Sequence, residues 1–314
     1  MQKYKSLIIK ILVSILLFGF LFSKIDVNSV VQNFSLIDFT YVPVIILLLV
    51  LNYVLSSVRW KALLIFDNTD DVSVSYLTTL YFVGSFFNNF MPTSIGGDVY
   101  KFVKLGKKIG SIAHGFSATF MERFTGVIIL FLITLLSFPL VLSDFVDLPV
   151  VGSVLGGSKV KSVLLSIFIF ILFILGLRIG LWVLEKASER FPKLKKIYSS
   201  VSEYENRQDI IKTALLTSVL VQLMSIFTQY FIFSALGVRI PIFYTFTVFP
   251  VIALISFLPI SLNSIGVQDA LYVNLFGVVG ISPEISLSAS ILYHLFRLGV
   301  SLIGGLLYAL GKDS

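Results

Sequence analysis

The chain has 314 residues, no cysteine, 57% hydrophobic and 13% charged residues, and a formal net charge of +7. Soluble globular chains run at about 45–50% apolar and about 25% charged residues, so a mean hydropathy of +0.97 places this one in the membrane class. Disulfides, cysteine nucleophiles and thiolate metal sites are excluded, and two histidines, His114 and His294, are too few for a multi-histidine metal site.

The basic start, Lys3, Lys5 and Lys10, leads into an apolar run from Ile11 to Phe22. That is the plan of a signal peptide, but no small-x-small cleavage motif follows and many spans come later. It reads as an uncleaved first span. Crossing a bilayer core of about 30 Å takes about 20 apolar residues. Stretches of that kind lie at 7–23, 41–58, 112–142, 162–184, 212–236 and 286–310. Two others differ in kind. One, 72–91, stops at Pro92; the other, 242–258, stops at Pro259; a short polar break and a shorter second segment follow each. The longest polar stretch, Glu185 to Arg207, is too short to bury a core. The expected fold is an all-α polytopic membrane protein, a single membrane domain over 1–314, with about six full transmembrane helices and two re-entrant broken-helix hairpins.

Short cytoplasmic connections collect lysine and arginine. With the N-terminus inside, the first two spans return Arg59 and Lys61 to the inside. A full crossing by 72–98 would put Lys101, Lys104, Lys107 and Lys108 outside, and with them the basic run from Lys186 to Lys212. Both violations vanish when 72–98 dips in and returns. Lys24, Lys159, Lys161 and Arg239 then remain outside, and Arg123, Arg178 and Arg297 sit within spans. The expected location is the cell (inner) membrane, with both termini cytoplasmic.

An internal repeat supports the second hairpin. Phe90-Met91-Pro92-Thr93-Ser94-Ile95-Gly96-Gly97 aligns with Phe257-Leu258-Pro259-Ile260-Ser261-Leu262-Asn263-Ser264, with Phe, Pro and Ser coinciding. An aspartate follows each, Asp98 and Asp269, and then a span with one arginine, Arg123 and Arg297. Each half, about 1–142 and about 160–311, reads as two spans, a broken hairpin and a third span. The halves start on opposite sides, which is the inverted repeat of many transporters.

Proline removes a donor and ends the preceding helix, and Gly96 and Gly97 permit a sharp turn. Irregular backbone survives at membrane depth only against protein or a wet cavity. The second arm of each hairpin begins as a helix N-terminus inside the membrane, whose free N–H groups and partial positive charge suit an anion. Candidate phosphate-binding residues are therefore Ser94, Gly96, Gly97 and Asp98, and Ser261, Asn263, Ser264 and Asp269. The competing reading is a structural kink with Asp98 and Asp269 as helix caps.

Arginine at a helix centre costs roughly 2.5–3.5 kcal/mol. Arg123 and Arg297 read either as partners for a lipid phosphate, which a guanidinium grips through two oxygens, or as salt-bridge partners of Asp98 and Asp269. Glu122 joins the candidates, although on a helix its side chain diverges from Arg123. His294 shares a helix face with Arg297; it either joins a polar cavity or packs as an ordinary satisfied histidine. Asn88, Asn89, Gln222, Gln229 and Asn274 line that cavity or bond between helices. Asp67, Asp70 and Asp71 read as capping and solvation on a loop rather than as a metal site. The sequence has no P-loop and no nucleophile motif pairing Ser with His, so no catalytic residue is expected.

The stretches NNFMPTSIGGDVYKFVKL (88–105), TFMERFTG (119–126), LPISLNSIGVQDALYVNLF (258–276) and SASILYHLFRLGVSLIGGLLY (288–308) resemble the flippase-like domain family. This is the membrane region of lysylphosphatidylglycerol synthases, also found in stand-alone proteins. The resemblance spans nearly the whole chain and implies lipid translocation or polyprenyl-lipid handling. In the family a Gly pair and then G-x-R-E follow the second break. Here Asn263-Ser264 and Gln268-Asp269 stand at those positions, so one charge is lost. The sequence carries no soluble aminoacyl-transferase domain, and aminoacyl-lipid synthesis is not expected of it. The expected function is a non-ATP-driven, non-enzymatic transporter of an anionic phospholipid or a polyprenyl-phosphate-linked lipid. The alternative is a non-transporting subunit that presents lipid to a glycosyltransferase. Membrane lipids are the expected partners, with that glycosyltransferase as a second; no nucleic acid, metal or cofactor is expected.

Overall fold

The computed structural model describes residues 25–66, 68–90, 96–141, 158–256 and 261–312, together with 19, 21, 23 and 145. Among these the chain is helical throughout: α1 (Val27–Ser35), α2 (Val42–Ala62), α3 (Val74–Phe90), α4 (Gly96–Lys108), α5 (Ile112–Ser137), α6 (Lys159–Arg190), α7 (Pro192–Ser202), α8 (Gln208–Ala235), α9 (Ile242–Ser256), α10 (Val267–Gly277) and α11 (Pro283–Ala309). Five described stretches are long and apolar enough to cross a membrane: Phe39–Ala62, Ile112–Leu140, Val163–Arg190, Gln208–Ala235 and Pro283–Ala309. The expected first span, 7–23, lies almost wholly outside the described residues. So do Asp67 and the breaks at 91–95 and 257–260, with Pro92, Ser94 and Pro259.

Helix starts follow local chemistry. Asp26 accepts from the Asn28 N–H (3.0 Å) at α1, Ser111 from that of His114 (3.3 Å) at α5, and Ser282 from that of Ile285 (3.3 Å) at α11, where Pro283 opens the helix. The Ser29 hydroxyl and Asn28 amide hold the Asp26 carboxyl, in the loop before α1, below the usual carboxylate range.

An antiparallel pair, α2 and α8, forms the centre. The Asp38 N–H donates to the Ala235 carbonyl (2.8 Å) at one end, and Arg59 donates to Ser218 (2.9 Å) towards the other. Between them the Asn52 amide donates to the Val221 carbonyl and to Ser225, both at 2.9 Å. Around this pair the halves interlock: α3 packs on α11, and α9 packs on α5. A Cβ on Gly304 of α11 would fall 1.9 Å from the Phe82 carbonyl oxygen of α3, and one on Gly97 of α4 would fall 1.9 Å from that of Gly84. Glycine at such crossings lets two backbones touch, which is how membrane helices pack closely.

The outer helix α6 is the opposite case. Leu164, Phe168, Ile179 and Trp182 are each more than half exposed, as suits a face turned to lipid. Aromatic residues are not confined to such faces. Phe233, Tyr244, Tyr272 and Phe276 are fully buried where α8, α9 and α10 meet, with Phe233 and Phe276 centroids 4.5 Å apart. Flat rings fill the space that a short, broken helix leaves beside full-length ones.

Candidate functional site

A cavity of about 370 Å³ lies between the two halves. The first hairpin contributes Asn88, Asp98 and Lys101, and the second contributes Asn263, Ser264 and Gln268. α2 adds Arg59, α5 adds Glu122 and Arg123, and α11 adds Arg297.

Its charged groups form a network. Asp98 accepts from Arg123 at 2.7 Å and pairs with Lys101, one turn along α4, at 3.1 Å. Glu122 pairs with Arg59 at 2.5 Å and with Lys101 at 3.5 Å. Lys101 also stands 3.8 Å from the centroid of the Tyr81 ring, whose face attracts a cation. Arg59, Lys101 and Glu122 are almost completely buried, whereas 39% of the Arg123 side chain is exposed. Three cations thus share two carboxylates. Arg297 rests 5.4 Å from the Tyr293 ring centroid and has no carboxylate within ion-pair distance among the described residues. Among the described residues the cavity wall carries four cations against two anions. Burying a charge costs several kcal/mol unless it is paired; the two carboxylates offset part of that cost, and an incoming anion would offset the rest.

Asn89, near the end of α3, and Asn263, ahead of α10, meet beside this network. Asn263 donates to Asn89 at 3.1 Å, and Asn89 donates to Ser301 at 2.6 Å. Asn263 and Ser264 adopt left-handed φ angles of 44° and 64°, a conformation costing about 1–3 kcal/mol per non-glycine residue. Ser264 holds the turn by donating to the Ser256 carbonyl at 2.5 Å.

At each second arm one of the amides expected to be free has a partner. The Gly97 N–H donates to Asn88 and the Gly266 N–H to Asp269, both at 2.7 Å. Of the sequence candidates, Arg123, Arg297, Asp98, Glu122, Asn263 and Ser264 line the cavity. Gly96, Gly97, Ser261, Asp269 and His294 do not, and Ser94 lies outside the described residues. The Arg123–Asp98 salt bridge is present. Its counterpart between Arg297 and Asp269 is not, because Asp269 faces His294 Nε2 at 3.5 Å. Asn88, Gln222 and Gln229 line the cavity, while Asn274 donates to the Ala270 carbonyl one turn back on its own helix. Arg59 and Lys101 escape sequence reasoning: charge placement counts both as cytoplasmic loop residues, yet both are buried against Glu122. The available signal is Glu122 itself, since an intramembrane carboxylate requires a partner.

An all-α fold with several spans around a buried charged cavity defines a multi-pass membrane protein with an internal polar site. The family model for the lysylphosphatidylglycerol synthase TM region matches residues 7–305, and the chain belongs to that family. It is similar to UPF0104 membrane proteins. One from Methanothermobacter thermautotrophicus is 27% identical over 77% of each chain. One from Pyrococcus horikoshii is 24% identical over 98% of this chain and 96% of the relative.

Proposed function

We propose that this chain is a flippase-like lipid transporter of the cell membrane, with both termini cytoplasmic and no covalent chemistry of its own. The cavity holds the head group of an anionic phospholipid or a polyprenyl-phosphate-linked lipid while the tails stay in the bilayer. The observation that carries this reading is the surplus of positive charge on the cavity wall, with Arg297 lacking a carboxylate within ion-pair distance among the described residues and Arg123 partly exposed. A guanidinium offers a phosphate two parallel charge-assisted hydrogen bonds.

Alternating access follows from rocking one half against the other. The antiparallel α2–α8 centre and the reciprocal packing of α3 on α11 and α9 on α5 support two inversely related halves, each built on a re-entrant hairpin. The test is leaflet exchange of labelled phosphatidylglycerol in vesicles reconstituted with the purified chain. Exchange above the protein-free rate is expected. Binding without exchange would favour a subunit that presents lipid to a glycosyltransferase.

A further inference from the structure

Asp269 and His294 lie behind the cavity wall rather than on it, and the head-group site leaves them without a task. Asp269 is fully buried in the first turn of α10. One carboxylate oxygen accepts the Gly266 N–H at 2.7 Å, and the other stands 3.5 Å from His294 Nε2 across the α10–α11 interface. Both facing atoms, His294 Nε2 and the Asp269 oxygen, are buried without a hydrogen-bond partner among the described residues, although the His294 side chain as a whole keeps 18% exposure. Their chain neighbours do line the cavity: Gln268 and Tyr272 on α10, Tyr293 and Arg297 on α11.

The surrounding charges are few. α1, α3 and α9 have no charged residue. On α2, Arg59 is committed to Glu122 and Lys61 to the Thr69 carbonyl, while Tyr53 bonds Ser85. α8 has Asp209 and Lys212 in its first turns, and its Gln229 accepts from Tyr272 at 2.5 Å. α11 itself carries Glu284 in its first turn, Tyr308 near its end, and Tyr293 and Arg297 next to and one turn beyond His294. Arg297 has no carboxylate within ion-pair distance among the described residues.

We propose that Asp269 and His294 form a proton-binding site linked to anion binding at Arg297, so that transport is proton-coupled. This rests on the lipid-transport reading. With a neutral imidazole the pair carries one net negative charge, which Arg297 balances while the cavity is empty. A head-group phosphate that engages Arg297 removes that balance. Net charge in a low-dielectric site is costly, so the imidazole takes one proton from water and the pair becomes carboxylate and imidazolium. Linkage requires the converse: a bound proton raises head-group affinity by the same factor. One proton and one monoanionic head group then cross with no net charge moved.

The test uses the full chain in phosphatidylcholine vesicles that contain labelled phosphatidylglycerol and an entrapped pH-sensitive dye. One-for-one coupling predicts that a pH gradient of one unit biases the lipid about tenfold between leaflets, with matching proton movement. Exchange that ignores the gradient overturns proton coupling and leaves lipid transport standing; no exchange at all removes the transport reading and the coupling with it. Asp269→Asn and His294→Gln are each expected to lose the response to the gradient. A second readout does not depend on those variants folding. In nanodiscs at fixed pH, isotope-labelled imidazole signals of the wild type are followed as phosphatidylglycerol is added, with His114→Gln assigning the two histidines. Movement of His294 towards imidazolium supports the proposal, and an unchanged His294 signal overturns it.

Discussion

Asn263 donates to Asn89 at 3.1 Å, joining the turn ahead of α10 to the end of α3 across 174 residues of sequence. Asn89 is in turn tied to Ser301 of α11, so each asparagine reports the position of the other half. Neighbours in one hydrogen-bond network couple by about 0.5–3 kcal/mol in double-mutant cycles. Thermal unfolding of Asn89→Ala, Asn263→Ala and the double variant is expected to show coupling in that range. Strict additivity would mean that the two asparagines touch without holding each other.

Arg297 has no carboxylate within ion-pair distance among the described residues, so Arg297→Gln is expected to cost less stability than Arg123→Gln. Phosphatidylglycerol binding should weaken by about tenfold or more, roughly 1.4 kcal/mol. Arg123→Gln is expected to lose binding similarly and also some stability, because Asp98 keeps only Lys101. Equal proportional loss of both properties in Arg123→Gln would return that arginine to a structural role.

Glu122 is the anchor of Arg59 and Lys101. Removing one partner of a buried ion pair costs about 3–5 kcal/mol, because the other charge stays buried. Glu122→Gln is expected to destabilise the detergent-solubilised chain by that order in denaturant unfolding, and Glu122→Gln with Arg59→Met to recover part of it. A Glu122→Gln variant as stable as the parent would contradict the network.

The crossing of α3 and α11 leaves no room for a side chain at Gly304, where a Cβ would meet the Phe82 backbone at 1.9 Å. Gly304→Val is expected to give little folded protein by size-exclusion chromatography, while Gly299→Val on the same helix, with open space around it, folds normally. Similar yields from the two would place the crossing elsewhere.

The lack of cysteine makes single-cysteine topology mapping clean. Lys104→Cys and Lys193→Cys are both expected to react with a membrane-impermeant thiol reagent from the cytoplasmic side only. Labelling of Lys104→Cys from the opposite side would undo the re-entrant assignment of the first hairpin.

Much of this architecture is written in the chain. The long helices α2, α5, α6, α8 and α11 are apolar runs of crossing length, and Arg123 and Arg297 stand out because arginine is costly at a helix centre. The pairing of Arg123 with Asp98 was one of two readings open to the sequence, and the packing of α5 on α4 brings the two together across 25 residues. Arg59 and Lys101 were hidden because a basic residue near a helix end has the same signature whether it meets cytoplasm or a buried carboxylate. The Asp269–His294 contact and the Asn89–Asn263 contact depend on how helices dock, which hydropathy and spacing do not specify. The left-handed turn at Asn263 and Ser264 had a trace in the sequence: those residues align with Gly96 and Gly97, the residue type that tolerates such a turn.

The central claim is that the cavity between the hairpins holds a lipid phosphate. A structure determined in nanodiscs containing phosphatidylglycerol tests it most directly. The account predicts a head-group phosphate within charge-assisted hydrogen-bond distance, about 2.7–2.9 Å from guanidinium nitrogen to phosphate oxygen, of Arg297 and Arg123. A cavity holding only water, with lipid ordered solely along the outer face of α6, would contradict it.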